Sequence, residues 1–366
     1  MSDFVSFILR FVCAELILTA IQLSLRKKQT GKGLRAALII IKLLLAVGLA
    51  ALAMVGPVAL RSVQPMMMAM YVALFADCVS DIIYSIFVSV SHKNRSFAAA
   101  KVISVVFGVV YLVFGMVNMQ TVRPDYHTYT SDKLSGEHKF VFIADVHVGS
   151  AQPFSVTEKT VAAIAAEKPE FTIIGGDLTD DYTTKEELVA TAELFGSLDC
   201  PVYYIFGNHD RQKHAEKYAG GQKYTPEEFR QILTDAGIII LRDEYAQIAP
   251  DLVLLGREDM SEEEERRDIA TLPNPSPDAF LLAADHQPFD FKKNTEAGVD
   301  LQVSGHTHSG QLFPLGEIYA PFAYCRGEHE YNGGKLYVSP GACGWRVPFR
   351  TDSGCRFEVI TLNNVK

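Results

Sequence analysis

Five short stretches of this 366-residue chain carry metal-capable side chains, each placed just after an apolar run. They are Asp145-Val146-His147, Gly176-Asp177, Gly207-Asn208-His209-Asp210, Asp285-His286 and Gly305-His306-Thr307-His308. Singly, each has a bland reading: Asp-x-His as a solvated loop, Asn-His-Asp as a turn, His286 as a satisfied core or surface histidine. Together they hold five of the ten histidines, and the bland readings fail as a set. Carboxylate oxygen, amide oxygen and imidazole nitrogen suit borderline divalent ions such as Mn, Fe or Zn. Two ions about 3.5–4 Å apart need a shared ligand. A carboxylate with two oxygens can bridge, and that role falls to Asp177. Such a pair would deprotonate a water between them and neutralise charge on a phosphoryl group attacked in line.

The elements that must present these residues are legible in the same sequence. Phe171-Thr172-Ile173-Ile174 is a buried-strand run, and Gly175-Gly176 lets the backbone turn sharply after it, delivering Asp177 at a strand end. Further strands are expected at Lys139–Val146, Pro201–Phe206, Ile238–Leu241, Leu252–Gly256, Phe280–Ala284, Val299–Ser304, Lys335–Ser339 and Phe357–Thr361. Capping patterns open helices at Ser155-Val156-Thr157-Glu158, Thr184-Lys185-Glu186-Glu187 and Thr225-Pro226-Glu227-Glu228. Ser261–Ile269 reads as a charged, solvated helix and Leu272–Asp278, with three prolines, as a loop. Alternating strands and helices imply an α/β body with mixed sheets over residues 138–366, behind a polar linker at 121–137.

Charge divides the chain in two. Residues 1–120 hold 11 of the 34 Lys+Arg and 4 of the 43 Asp+Glu, an excess of seven positive charges; the remainder carries 23 against 39, an excess of sixteen negative. The acidic body lacks the basic stripe that nucleic acid would need. The front holds four apolar stretches long enough to cross a bilayer, Phe4–Leu25, Leu34–Leu60, Met66–Val90 and Ala98–Gln120. Arg10 and Glu15 lie inside the first, which leaves an interfacial helix as its alternative. Arg26, Lys27, Lys28, Lys32 and Arg35 crowd the first connector and Lys93, Arg95 and Lys101 the third, against Arg61 alone in the second. The positive-inside rule puts the first and third connectors in the cytoplasm and the body on the extracytoplasmic side of the cell membrane. Asp77 and Asp81 lie one turn apart in the third span, either as functional carboxylates or as partners of Lys42 or Lys101. Cys200, Cys325, Cys343 and Cys355 show no zinc-knuckle spacing; a disulfide among them is open outside the cytoplasm.

Asp145-x-His147, Gly176-Asp177, Gly207-Asn208-His209-Asp210, His286 and Gly305-His306-x-His308 resemble the calcineurin-like metallophosphoesterase superfamily. The wording of Ser304–Leu312 and the apolar front resemble its membrane-associated bacterial branch. The resemblance covers roughly residues 138–366. It implies two facing mixed β-sheets flanked by helices, behind an N-terminal transmembrane helical domain. It assigns one ion Asp145, His147, Asp177 and His308, and the other Asp177, Asn208, His286 and His306. It makes His209 the general acid, a role its near-neutral pKa suits, and Asp180 the carboxylate that orients it, with Asp210 a rival. Arg346 and Arg350 are candidates to hold a second anionic group of the substrate. The resulting expectation is a membrane-anchored dinuclear-metal phosphoesterase acting on a phosphomonoester or phosphodiester, on lipid, cell-envelope or nucleotide-like material. Alternatives are a lipid-linked sugar-nucleotide pyrophosphatase on the cytoplasmic face, a non-catalytic interaction module on a membrane scaffold, and a transporter driven through Asp77 and Asp81.

Overall fold

The apolar segments of the front fold as helices α1 (Ser2–Leu25), α2 (Lys32–Val55), α3 (Gln64–Ser91) and α4 (Phe97–Met119). The structure is a computed structural model that describes residues 2–25, 32–55, 63–91, 97–149, 151–320, 324–345 and 347–365. The chain divides into two units, Met1–Val117 and Asn118–Lys366. Among the described residues, three helices are long and apolar enough to cross a membrane, through Ala36–Ala53, Gln64–Phe87 and Ala98–Met119. α1, which contains Asp3, Arg10 and Glu15, is not among them. Ile40, Leu44, Ile86, Val106 and Val110 are exposed on this unit, a surface suited to lipid rather than water. The charges turn inward: Lys42 Nζ lies 2.5 Å from Asp77 and 2.8 Å from Asp81, and Lys101 Nζ 2.6 Å from Asp77 and 3.5 Å from Glu15. Asp77 and Asp81 are thus paired with both lysines. Arg26, Lys27, Lys28, Arg61, Lys93 and Arg95, on which the orientation argument rests, lie outside the described residues.

The second unit begins with a difference from the sequence reading. Within the segment expected as a linker, β1 (Val122–Ser131) is a ten-residue strand, paired in parallel with the last strand of the chain. Its alternation of half-buried and exposed residues and its Pro124 mark an edge strand, which reads as polar and linker-like. After it come β2 (His138–Ile143), α5 (Phe154–Glu167), β3 (Phe171–Ile174), α6 (Lys185–Gly196), β4 (Val202–Tyr204), α7 (Ala215–Ala219), α8 (Pro226–Asp235) and β5 (Ile239–Ile240). The chain then forms β6 (Glu244–Ala249), β7 (Leu252–Gly256), β8 (Phe280–Ala284), α9 (Phe291–Glu296), β9 (Leu301–Ser304), α10 (Leu315–Tyr319), β10 (Gly327–Tyr331), β11 (Gly334–Val338) and β12 (Cys355–Asn364). The strands make two six-stranded mixed sheets, ordered β1-β12-β2-β3-β4-β5 and β10-β11-β9-β8-β7-β6.

Side-chain alternation along β2 explains the layering. Phe140 and Phe142 enter the core between the sheets, with Phe171, Ile173, Leu252, Leu254, Leu282 and Val303. Val141 and Ile143 enter the core beneath the helices, with Val161, Ile164, Leu188, Phe195, Phe229 and Leu233. Each fully buried side chain of this size contributes about 1.5–3 kcal/mol.

Local signals fared unevenly. Thr184 and Thr225 both form complete capping boxes, with Glu187 and Glu228, and Pro226 takes the first turn. The box expected at Ser155 does not form: the helix starts two residues earlier than that cap would allow, with Pro153 at its cap and no side-chain cap bond. No helix covers 261–268; those residues are turns and irregular backbone, followed by a short 3₁₀ turn at Ile269–Thr271. Its charges are used pairwise instead, as in Arg266 on Asp285, so helical spacing gave way to tertiary ion pairs. The six cysteines are all free, so no disulfide joins Cys200, Cys325, Cys343 or Cys355.

Candidate metal centre

β2, β3, β4, β8 and β9 all run parallel or lie next to parallel neighbours, and their C-terminal ends open onto one crevice. Asp145 and His147 follow β2, Asp177 follows β3, Asn208 and His209 follow β4, His286 follows β8, and His306 and His308 follow β9. The loops are laced together by their own backbones. Asp145 N–H donates to Gly176 O (3.0 Å), His147 N–H to Asp177 O (3.1 Å) and Gly305 N–H to His286 O (3.0 Å).

Backbone conformation singles these residues out. Asp145, His147, Asp177, His306 and His308 have φ of 57°, 46°, 49°, 72° and 45°. They make up five of the nine non-glycine residues with positive φ among those described. Side chains tolerate this region at about 1–3 kcal/mol each, and such residues gather where geometry must be imposed. Two glycines make room for the carboxylates. A Cβ on Gly207 would lie 2.2 Å from Asp177 Oδ1, and one on Gly305 2.5 Å from Asp145 Oδ2.

Two groups of potential ligands result, Asp145-His147-His308 and Asp177-His286-His306. In the first, His147 Nε2 lies 3.1 Å from His308 Nε2 and 4.0 Å from Asp145 Oδ1, and His308 Nε2 is 3.5 Å from that oxygen. Two ring nitrogens this close need a proton or a cation between them. Asp177 joins the groups: its Oδ2 lies 3.6 Å from His147 Nε2 and 3.3 Å from His286 Nε2. Its other oxygen accepts the His209 N–H at 2.9 Å. The outer faces of two rings are fixed by carbonyls. His286 Nδ1–H donates to Gly175 O (2.8 Å) and His308 Nδ1–H to Cys343 O (3.3 Å), which leaves each Nε2 lone pair for the crevice. His286 Nε2 and Asn208 Oδ1 are buried with no hydrogen-bond partner. Orphaned buried acceptors of metal-ligating type fit divalent cations.

Electrostatics agree with this fit. Burial drives His147 down to about 3, burial and His286 drive His306 down to about 4, and burial and His147 hold His308 well below the usual range. Three rings are therefore neutral, the form that binds metal. Burial pushes Asp145 up to about 7, whereas His286 and His209 overcome burial and hold Asp177 well below ordinary carboxylates. Burial opposes it, but Asp177 facing the ring raises His286 well above the ordinary imidazole value, so the proton on Nε2 marks the position that a cation would take. His209 is likewise raised to about 9: burial opposes this, and Asp177 and Asp181 outweigh it.

The carboxylates around His209 differ from the sequence assignment. Asp181 Oδ2 lies 3.5 Å from His209 Nδ1. Asp180 instead accepts the Tyr182 N–H at 2.7 Å, holding its own turn. Asp210 is buried and accepts from the N–H groups of Asp177, Thr179 and Gly207 at 3.0, 3.1 and 2.7 Å, so it staples two loops together. Arg350 does not reach the crevice as a substrate anchor: it is fully buried and bonded to carbonyls. Arg346 lies outside the described residues. The sequence reading also passed over Asp259, buried three residues beyond β7, where Gln287 Nε2 donates to both its oxygens at 3.1 Å. Its signal, a carboxylate after a strand, matched the other loops but had no histidine beside it. Trp345 and Phe289 stand at the rim, with ring centroids 6.1 Å from His209 and 6.0 Å from His306.

Residues 138–310 match the calcineurin-like phosphoesterase family. The uncharacterized metallophosphoesterase YkuE of Bacillus subtilis (strain 168) is 26% identical over 244 residues, 62% of this chain and 79% of that one. Phosphodiesterase YaeI of Escherichia coli (strain K12) is 29% identical over 239 residues, 62% of this chain and 82% of that one. A transmembrane protein with metallophosphoesterase domain from Danio rerio is 26% identical over 294 residues, 71% of this chain but 62% of its own length.

Proposed function

The chain belongs to the calcineurin-like metallophosphoesterase superfamily, hydrolases of phosphoric ester bonds, and from that premise we propose a membrane-anchored phosphoesterase with two divalent ions. Residues 138–366 are its catalytic domain, extended by β1, and residues 1–120 its multi-pass membrane domain. The observation that carries the proposal is the single Asp177 Oδ2 atom facing both ligand groups, at 3.6 Å from His147 Nε2 and 3.3 Å from His286 Nε2. Asp145, His147, Asp177 and His308 would hold one ion, and Asp177, Asn208, His286 and His306 the other. When bound, the ions supply Lewis-acid neutralisation of the phosphoryl oxygens and a lowered pKa for the attacking water.

The chain's own residues do the rest. His209, protonated and steadied by Asp181, gives its proton to the leaving alkoxide as the P–O bond breaks and water's oxygen bonds to phosphorus. Asp210 fixes the two turns so that Asp177 and His209 face the same phosphate. The apolar outer face of the front supports a substrate living in or beside the bilayer, lipid or cell-envelope phosphate. Mn, Fe and Zn all match the donor set.

The test is phosphate or p-nitrophenol release by the full-length chain in detergent, with Mn, from p-nitrophenyl phosphate and its bis ester. Turnover that drops by about 10²–10³-fold or more in Asp177→Ala supports the reading. No turnover by wild-type chain carrying both ions overturns it.

A further inference from the structure

Arg350 is an unusual cation. It is fully buried, and its guanidinium donates to neutral oxygens. Nη1 donates to Cys343 O at 3.0 Å; Nη2 donates to Pro340 O at 2.7 Å, Ser309 O at 3.3 Å and Ser353 Oγ at 2.8 Å. Nε donates to Ser353 O at 3.0 Å. Burying a guanidinium carries a large desolvation cost, and a cation near a cation site opposes the ions by plain Coulomb repulsion. Its place here needs a geometric gain that outweighs both.

That gain is visible in what the carbonyls do. Cys343 O is the same atom that accepts His308 Nδ1–H, and Cys343 N–H donates to Asp145 O at 2.9 Å. Ser309, the residue after His308, is gripped through its carbonyl by Arg350 and by Ser353 Oγ at 2.9 Å. The fork therefore ties both shoulders of His308, and the backbone of Asp145, to one rigid centre. We infer that Arg350 is a positioning residue for the Asp145-His147-His308 half of the centre, and that its planar five-donor fork sets the affinity of the ion bound there. This rests on the dinuclear reading above. A lysine would keep the charge but could not span Cys343, Pro340 and Ser309 at once.

The experiment is a Mn titration of the metal-stripped full-length chain in detergent, following free Mn by electron paramagnetic resonance, for wild type, Arg350→Lys and Arg350→Met. Loss of a partner that orients a metal ligand typically weakens affinity 10–100-fold. The expected result is that one of two equivalents weakens by about that factor in both variants, with the other unchanged and no rescue by lysine. Unchanged binding of both equivalents overturns the inference, and so does full rescue by lysine, which would make the role one of charge. Should the Arg350 variants fail to fold, Ser353→Ala decides: a several-fold loss confined to one equivalent supports it, and wild-type affinity contradicts it. If wild type itself binds no pair of ions, the dinuclear reading fails instead, and the two failures are distinguishable.

Discussion

His209 and its neighbours show what two consecutive carboxylates can hide. The resemblance assigned the orienting role to Asp180, yet it is Asp181 that lies 3.5 Å from the imidazole, while Asp180 accepts the Tyr182 N–H. The consequence is measurable through the leaving group. His209→Ala should slow hydrolysis of an alkyl phosphate ester by about 10²–10⁴-fold and slow a nitrophenyl ester, whose leaving oxygen needs no proton, far less. Asp181→Asn should move the same ratio in the same direction by a smaller factor, and Asp180→Asn should leave the ratio alone. If Asp180→Asn shifts it and Asp181→Asn does not, the assignment reverts to Asp180. The residues that the structure gathers into the two candidate groups were legible because chemistry restricts metal-capable side chains to a few types, here placed after strands. The orientation of Asp181, the backbone task of Asp210 and the internal cage around Arg350 were not, since each depends on which way a side chain turns once the loops have packed.

Strands and turns explain how the ligands are aimed. The turn after β4 can hold Asp177 only because Gly207 lacks a Cβ, which would sit 2.2 Å from Asp177 Oδ1. Gly207→Ala should therefore abolish binding of the paired ions while leaving the circular dichroism of the fold intact; retained stoichiometric binding would refute this. A second contact joins the sheets. Asp251, between β6 and β7, accepts from Ser135 N–H (2.6 Å), Ser135 Oγ–H (2.5 Å) and His138 Nε2 (3.1 Å), at the start of β2. Partial burial works against its ionisation, but the Ser135 donors and His138 win and lower it to about 2 from 3.8. Its stabilising effect is thus complete above the unfolded value and is lost as pH falls through about 2. His138, raised by Glu170 and Asp251 against its burial, contributes below about 6.5 and loses its part as pH rises past its folded value. Asp251→Asn should lower the Tm most between pH 4 and 6.5 and flatten its fall below pH 4; identical acid limbs in the two proteins would contradict this. Long apolar strands were readable from sequence, whereas β1, β6 and β10, all outer strands with polar or half-buried faces, carried too little periodicity to declare themselves.

At the scale of the molecule, two chemically opposed regions share one chain: a basic, apolar front and an acidic body. From the surplus of Lys and Arg in the first and third connectors we propose that the body lies outside the cytoplasm. A C-terminal alkaline phosphatase fusion should be active and a green fluorescent protein fusion dark; the reverse pattern would put the body in the cytoplasm and favour a sugar-nucleotide pyrophosphatase instead. The paired Lys42, Lys101, Asp77, Asp81 and Glu15 need no transport role to account for their burial, because each lysine faces carboxylates within its own unit. The whole account hangs on two cations sharing Asp177, and electron paramagnetic resonance of the Mn-loaded full-length chain tests this most directly. Two Mn per chain with an exchange-coupled spectrum, and loss of that coupling in Asp177→Ala, is the result expected. One Mn per chain, or two that ignore each other in the wild type, would contradict it.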